Sequence, residues 1–507
     1  MNGRRRIPGL IWAFVLMIPL LPLPAVPAYA QEPVTLTCLI NHTWYPTDSF
    51  SGIIPEEITR LTGVKLNVIV AKDSRQLNLM LASGSLPDLI YTSTQFDRLS
   101  NAEYCYDYDS LIEKYNINWH IGDDLRLNAL VYSDDGKPYT VINHYTSTKD
   151  WKDSSAVPMT ASMMVRQDIL DKMGNPPIKT TEDLKSVFLR VKKEYPGLIP
   201  LTFNGTHRFN SFRVWFGLGL TEFVKQRDGM YLYYCRDTRY YDMLKYLNTL
   251  YQNGCLLVDN FATDTEATSR LYKRGKAFAY SACTQNTNVY METALKEIDP
   301  DYHSVELYPL EGSNQSVSNL GWSGLFITKN CKDPEAAIKL AAWMFTPEAQ
   351  KLTQWGRAGV DYTLDENNLP VYSKELLDSI VNDTYDKEYN PWFYFGASAI
   401  VESEGRCALM DISDYKDTYT AIREGYVNFP WITAAVPQEG SREREIYDRV
   451  TAGAITYETK IILSDTDKAF EENFQEYMNW LNALNITALE DYMTKSIPVV
   501  MLNYTSK

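Results

Sequence analysis

Val34-Thr-Leu-Thr-Cys-Leu-Ile40, Val64-Lys-Leu-Asn-Val-Ile-Val70 and Leu89-Ile-Tyr91 decide the fold, because each is strand-like and a helical repeat separates each from the next. Between the first two, Ile54, Ile58 and Leu61 recur at helical spacing, with Pro55 suited to a first turn and Gly63 to a C-terminal cap. Between the second and third, Leu77, Met80 and Leu81 mark another helix that stops at Gly84. A βαβαβ order of this kind predicts a parallel sheet covered by helices.

A second unit of the same class begins near Met163. Ile169, Leu170 and Met173 before Gly174 form one short helix, and Thr180-Thr-Glu-Asp183 reads as a capping box ahead of Leu184, Val187, Phe188 and Val191. Pro200-Leu-Thr-Phe203 is a strand, and Met243, Leu247 and Leu250 with Gly254 are another capped helix. Further on, Leu325-Phe-Ile-Thr328 is strand-like, and Asp333-Pro334 and Thr346-Pro347 each set a cap residue before a proline at the first helical position. The last third, including Phe470, Phe474, Tyr477, Met478 and Leu481, is mainly helical. The fold class is therefore α/β with two lobes and a helix-rich C-terminal third.

Arg4, Arg5 and Arg6 ahead of an apolar run that closes with Ala28-Tyr29-Ala30 read as a secretory signal over residues 1–30. The run is broken by prolines and short of the roughly 20 residues that cross a bilayer as a helix. The net charge is −15, and loss of the signal removes three arginines and no acid. Such a surface repels nucleic acid, and no stripe of basic residues offsets it. The seven cysteines (38, 105, 235, 255, 283, 331 and 407) lack zinc spacing and leave two readings open, one or two disulfides or buried thiols.

The runs Glu56-Glu-Ile-Thr-Arg-Leu-Thr-Gly-Val-Lys-Leu-Asn67, Leu77-Asn-Leu-Met-Leu-Ala-Ser-Gly-Ser-Leu-Pro-Asp-Leu-Ile90, Asp135-Gly-Lys-Pro-Tyr139, Val165 to Gly174 and Leu247 to Gly254 occur in an informative order. Together with Gly321-Trp-Ser-Gly-Leu-Phe-Ile-Thr-Lys-Asn-Cys-Lys-Asp-Pro-Glu-Ala-Ala-Ile338, they resemble the extracellular solute-binding proteins of ABC transporters, in the oligosaccharide group and its LplA-like branch. The resemblance implies two doubly wound lobes joined by a multi-crossing hinge that closes on ligand, as in periplasmic binding proteins. It places the N-terminal lobe at 31–143 and 279–328 and the C-terminal lobe at 144–278 and 329–507. Crossings are expected near Ile142-Asn143-His144, Tyr280 to Cys283, and Gly324. It further implies an exported monomer that carries an oligosaccharide or related small solute to permease subunits, with no cofactor. A lipid anchor is not expected, since no cysteine follows the signal directly and Cys38 lies inside the first strand.

A sugar presents an apolar face of C–H groups and a rim of hydroxyls, so its site needs flat aromatic rings and planar polar groups. Ligands of parallel sheets lie beyond the carboxyl ends of strands, which selects Trp44, Gln95, His144 and Tyr145 from the first lobe and Asn204 and Arg208 from the second. Trp322 adjoins a crossing. Trp215 faces either cleft or core, and Trp392 lies in Asn390-Pro-Trp-Phe-Tyr394, where the resemblance places a stacking ring. Turn, cap and core roles explain the same residue types. An acidic sugar would call on Arg208 or Arg213. No metal-ligand spacing is present among the five histidines.

The chain lacks GxSxG, HExxH, GxxxxGK[ST] and GxGxxG, so it is read as a non-enzyme. The alternative is a secreted carbohydrate-active hydrolase, for which Glu402 with Glu404 or Asp361 with Asp365 would be the carboxyl pair. A ligand-binding partner of a membrane receptor would use the same cleft. Asp365 to Asn368 reads as a turn rather than a calcium loop.

Overall fold

Alternating apolar residues bury β1 (Val34–Ile40) in the middle of a sheet, with Leu36, Cys38 and Ile40 closed off from solvent. It runs parallel to β2 (Val64–Val70), Val34 facing Val64, and parallel to β3 (Leu89–Thr92), Cys38 facing Leu89. The helices Ile53–Thr62 and Gln76–Ser83 make the two connections and stop on Gly63 and Gly84, both with φ of 69°. Only a residue without Cβ enters that region cheaply, which is why the chain turns there. The computed structural model describes residues 32–505 apart from 206, 263–264, 285–290 and 410–415. The predicted signal at 1–30 lies outside the described residues.

A second sheet takes β4 (Ala161–Arg166) and β5 (Ile199–Phe203), is flanked by a hairpin of β6 (Phe223–Lys225) and β7 (Tyr231–Tyr233), and is completed by β8 (Ala277–Cys283) and β9 (Ser304–Glu306). Its order is β5-β8-β4-β9, with β5 parallel and β4 antiparallel to β8. The capping box of Thr180 and Asp183 forms and starts the helix Thr181–Glu194, which buries Leu184, Val187, Phe188 and Val191. The chain then runs through β10 (Ser316–Val317) to β11 (Gly324–Ile327), which returns to the first sheet antiparallel to β3. The first sheet thus reads β11-β3-β1-β2.

Two stretches fall on the other side of the molecule from the sequence-based division. Residues 279–328 are expected in the first lobe from the sequence; β11 does join that sheet, yet β8 is buried along its whole length between β5 and β4, so it is a central strand of the second sheet and not a crossing. Residues from 329 were expected in the second lobe. The helix Pro334–Met344, capped by Asp333, instead buries Ala337, Ile338, Leu340 and Ala341 against the first sheet, and Leu352, Leu376, Tyr389, Phe393 and Phe395 join that core. The apolar stripe of that helix has to be buried against something, and the first sheet, which β11 has just joined, is the nearest uncovered face.

The second core gathers Leu244 and Leu247 with Ile446, Val450, Ile461, Phe470, Tyr477, Leu489 and Met493 from the helices Arg442–Ile462, Asp467–Ala483 and Ile486–Thr505. The lobes meet away from the hinge where the Tyr504 hydroxyl donates to Asn128 Oδ1 at 2.9 Å and Arg444 Nη1 stands 3.9 Å from Asp97 Oδ2. Among the described residues no helix is long and apolar enough to cross a membrane.

None of the seven cysteines is bridged; six are buried and Cys407 is half-buried. Burial pushes the Cys331 thiol up to about 12 and those of Cys255 and Cys407 up to about 11, which removes the reactive thiolate. The native protein should therefore react with far less than one equivalent of iodoacetamide at pH 8, and the unreduced protein in denaturant should react with seven. Five or fewer in denaturant would mean that a disulfide exists.

Candidate ligand-binding site

The chain passes between the lobes at 143–147, at 317–323 and again near 397–399, and the polar side chain of Asn143 ties these passages together. Its backbone exchanges hydrogen bonds with Ser323 O and Trp322 N (2.9 Å each), its Oδ1 accepts from Ser323 N at 3.0 Å, and its Nδ2 donates to Tyr91 Oη at 2.9 Å and to Tyr394 O at 3.3 Å. Gly321 sits at φ 112°, and a Cβ there would lie 2.5 Å from Asn143 O, so glycine is required where the two strands of the hinge touch. His144 follows at φ 58° with its N–H bound to Ala397 O at 2.9 Å. Such left-handed conformations in non-glycine residues persist where surrounding bonds hold them.

Two loops are stapled above this hinge. Asn390 donates through Nδ2 to Ser49 O and Ser51 O, 2.8 Å each, and the Tyr45 hydroxyl donates to Trp392 O at 2.6 Å. The result is an aromatic shelf. Trp322 stacks on His42 at 5.0 Å, on Trp44 at 5.9 Å and on Tyr394 at 6.2 Å, and Trp392 meets Trp44 edge-on at 6.3 Å. Burial holds the His42 imidazole down at about 4, so it supports Trp322 as a neutral ring, and Ser323 Oγ lies 3.2 Å from its Nε2. Trp44 remains 53% exposed.

Beside the shelf is a cavity of about 780 Å³, lined by Trp322, Trp392 and Tyr394 and by His144, Met159, Tyr426, Glu402 and Arg406. The helix Ala399–Cys407 supplies the last two and docks on both lobes. Trp355 Nε1 donates to Val401 O at 2.7 Å on one side, and Ser403 Oγ donates to Val157 O at 2.8 Å on the other. Its i, i+4 spacing sets Arg406 Nη2 2.9 Å from Glu402 Oε1, while His144 Nε2 lies 3.0 Å from Oε2. Burial raises the Glu402 carboxyl, but Arg406 and His144 outweigh it and hold the group at about 2. An ionised carboxylate only accepts, so His144 donates from Nε2. The volume suits a ligand of several rings, and the lining offers ring faces and fixed acceptors together.

The nine residues nominated from the sequence therefore separate. His144, Trp322 and Trp392 line the cavity, and Trp44 packs on Trp322 beside it. Gln95 begins the helix Phe96–Leu99 at φ 61° and accepts from Arg98 at 3.3 Å; Tyr145 donates to Asp124 at 3.5 Å. Asn204 is buried at the end of β5, where it accepts from His207 N and reaches Tyr280. Arg208 donates to Thr459 at 3.1 Å and stands 3.8 Å from Glu458, fastening a C-terminal helix to its own lobe. Trp215 faces the core and not the cleft: it is 6% exposed and packs edge-on against Phe212 in the second core, because its short helix turns an apolar face to β4 and β8. His42, Tyr394, Glu402 and Arg406 were not nominated as ligand contacts. The Glu402-x-x-x-Arg406 spacing was the available signal, since it fixes an ion pair on one helix face.

Of the carboxyl pairs weighed for hydrolysis, Asp361 is spent on Arg357, whose Nε lies 2.8 Å from it, and on the Tyr389 hydroxyl at 3.0 Å. Asp365 accepts from Asn367 N and Leu369 N in the turn between two short strands. Among the described residues no group of three or more His, Cys, Asp or Glu is placed to hold a metal ion.

The family described as bacterial extracellular solute-binding protein matches residues 56–360. Among solved structures, the Streptococcus pneumoniae ABC-transporter substrate-binding protein FusA in complex with kestose superposes with a TM-score of 0.69 at 18% identity, over 93% of this chain and 100% of its own. An HMO-binding, ABC-transporter-associated solute-binding protein from Bifidobacterium longum infantis ATCC 15697 gives 0.68 at 13%, over 94% and 100%. The alginate-binding protein AlgQ2 without calcium ion gives 0.65 at 18%, over 92% and 98%. At these identities the likeness is one of fold. No curated protein matches the chain.

Proposed function

The chain belongs to the bacterial extracellular solute-binding protein family, and from that premise we propose that it captures an oligosaccharide in the cavity at the lobe crossings and presents it to the permease of an ABC importer. The observation that carries this reading is the cavity itself, where Trp322, Trp392 and Tyr394 stand beside the ionised Glu402 at the hinge. Rings at such a place bind the C–H faces of a sugar, and contacts to both lobes favour the closed form, since only differential affinity moves the equilibrium. Similar folds include proteins described as in complex with kestose, as HMO-binding and as alginate-binding, which supports a glycan and leaves its charge open.

The working unit in this reading is an exported monomer that binds its ligand without transforming it, in keeping with the family's description as solute-binding. Trp44, Trp322 and Trp392 are the stacking rings and His144 with Glu402 the polar rim. Gln95 and Tyr145 are second candidates, whereas the buried Asn204 and the Arg208 bound to Thr459 serve their own lobe.

Thermal unfolding of the purified protein with a panel of plant and microbial oligosaccharides tests it. A bound sugar at a hundredfold excess over Kd should stabilise the fold by about 2.7 kcal/mol. Hydrolysis of a panel member with no stabilisation by any would replace this reading with that of an enzyme. Loss of uptake on deletion of the partner permease, with receptor signalling intact, separates import from a sensory role.

A further inference from the structure

The charges around the cavity are unbalanced. Asp383, Asp386 and Glu402 bring three carboxyls to its lining, and among the described lining residues Arg406 is the guanidinium that answers them. That guanidinium is already committed, with Nε at 3.1 Å and Nη2 at 2.9 Å from Glu402 Oε1. The cations that the sequence offered for an acidic sugar are occupied elsewhere. Arg208 is bound to Thr459, and Arg213 donates to Thr221 O at 2.8 Å with its guanidinium 3.9 Å over the Tyr234 ring.

We infer that the cavity accepts glycans that are neutral or carry amines and rejects those that carry carboxylate or sulfate groups. The inference rests on the oligosaccharide reading above and names the substrate class within it. A uronate entering here would bring its charge beside Glu402, which stays ionised, in a partly desolvated space where like charges repel more strongly than in water. It would find no uncommitted cation among the described lining residues to offset the loss of hydration. A hydroxyl or ammonium group meets the opposite situation, because the carboxylates accept hydrogen bonds and attract positive charge. The excess of acid over base in the whole chain adds a weaker, salt-screened bias of the same sign.

The test is competition. The full-length protein is offered one mixture of neutral oligosaccharides (from cellulose, mannan, inulin and starch), glucosamine oligosaccharides from chitosan, and uronate oligosaccharides from alginate and pectin. Native mass spectrometry then reads which class is retained. Retention of the neutral or amine class and exclusion of uronates is the expected result. Retention of uronates overturns the inference and leaves the oligosaccharide reading standing; retention of nothing overturns both.

A second arm uses Asp383→Asn with Asp386→Asn, at two exposed positions. This variant should retain uronates roughly 3- to 10-fold better than the unmodified protein at low ionic strength, with the gain lost at about 0.5 M salt. Equal retention by both proteins at low salt would remove these carboxylates from the argument and overturn the inference.

Discussion

Trp322→Ala should weaken oligosaccharide binding by roughly 30- to 1,000-fold, an effect of about 2–4 kcal/mol that is usual for a central tryptophan in a desolvated contact. Trp322 both lines the cavity and joins its aromatic partners, with His42, Trp44 and Tyr394 stacked on it and His144 edge-on at 5.7 Å. Removing it takes away a ring face for the sugar and the contact that sets the angle of Trp44. Part of any loss would come from slackening of the shelf, so a second variant is needed. Trp44→Ala removes a ring that is 53% exposed. It should leave the unfolding temperature unchanged while costing roughly tenfold in affinity. Calorimetry with a ligand from the thermal panel measures both. Unchanged affinity in Trp322→Ala would move the site away from this shelf.

Glu306→Gln should stabilise the protein by roughly 3 kcal/mol at pH 7 and by almost nothing at pH 4.5. Glu306 ends β9, opposite Met164, and is 4% exposed. Burial raises its carboxyl from 4.5 to about 8, with Ser162 and Tyr419 offsetting a little. The folded state is thus protonated at neutral pH and the unfolded state is not, so folding takes up a proton. For a carboxyl raised in this way, stability is lost as pH rises from about 4.5 to about 8 and is level above that. Glutamine has the same shape and never ionises, so its advantage should open over that interval. Urea midpoints of both proteins at pH 4.5, 7 and 8.5 give the difference directly. A constant difference at all three would show that Glu306 does not titrate with folding.

The sequence by itself determined what is local or periodic. The strand runs at 34–40, 64–70 and 89–91, the glycine stops at 63 and 84, and the caps at Thr180, Asp333 and Thr346 all appear as read. Each depends on interactions within a few residues, and those are written in residue type and spacing. The aromatic part of the candidate site was partly legible for a similar reason, because Trp44, Trp322 and Trp392 lie in loops at strand ends or crossings.

Lobe membership was decided only in three dimensions. The β8 run Ala277–Cys283 has the same apolar character whether it joins one sheet or the other, and its neighbours β5 and β4 are about 80 and 120 residues away in sequence. The same holds for Trp215, whose helix turned it inward, and for Glu402, which meets His144 from 258 residues away. Pairings of that range depend on which buried faces remain open once the sheets have formed, and no local pattern records that.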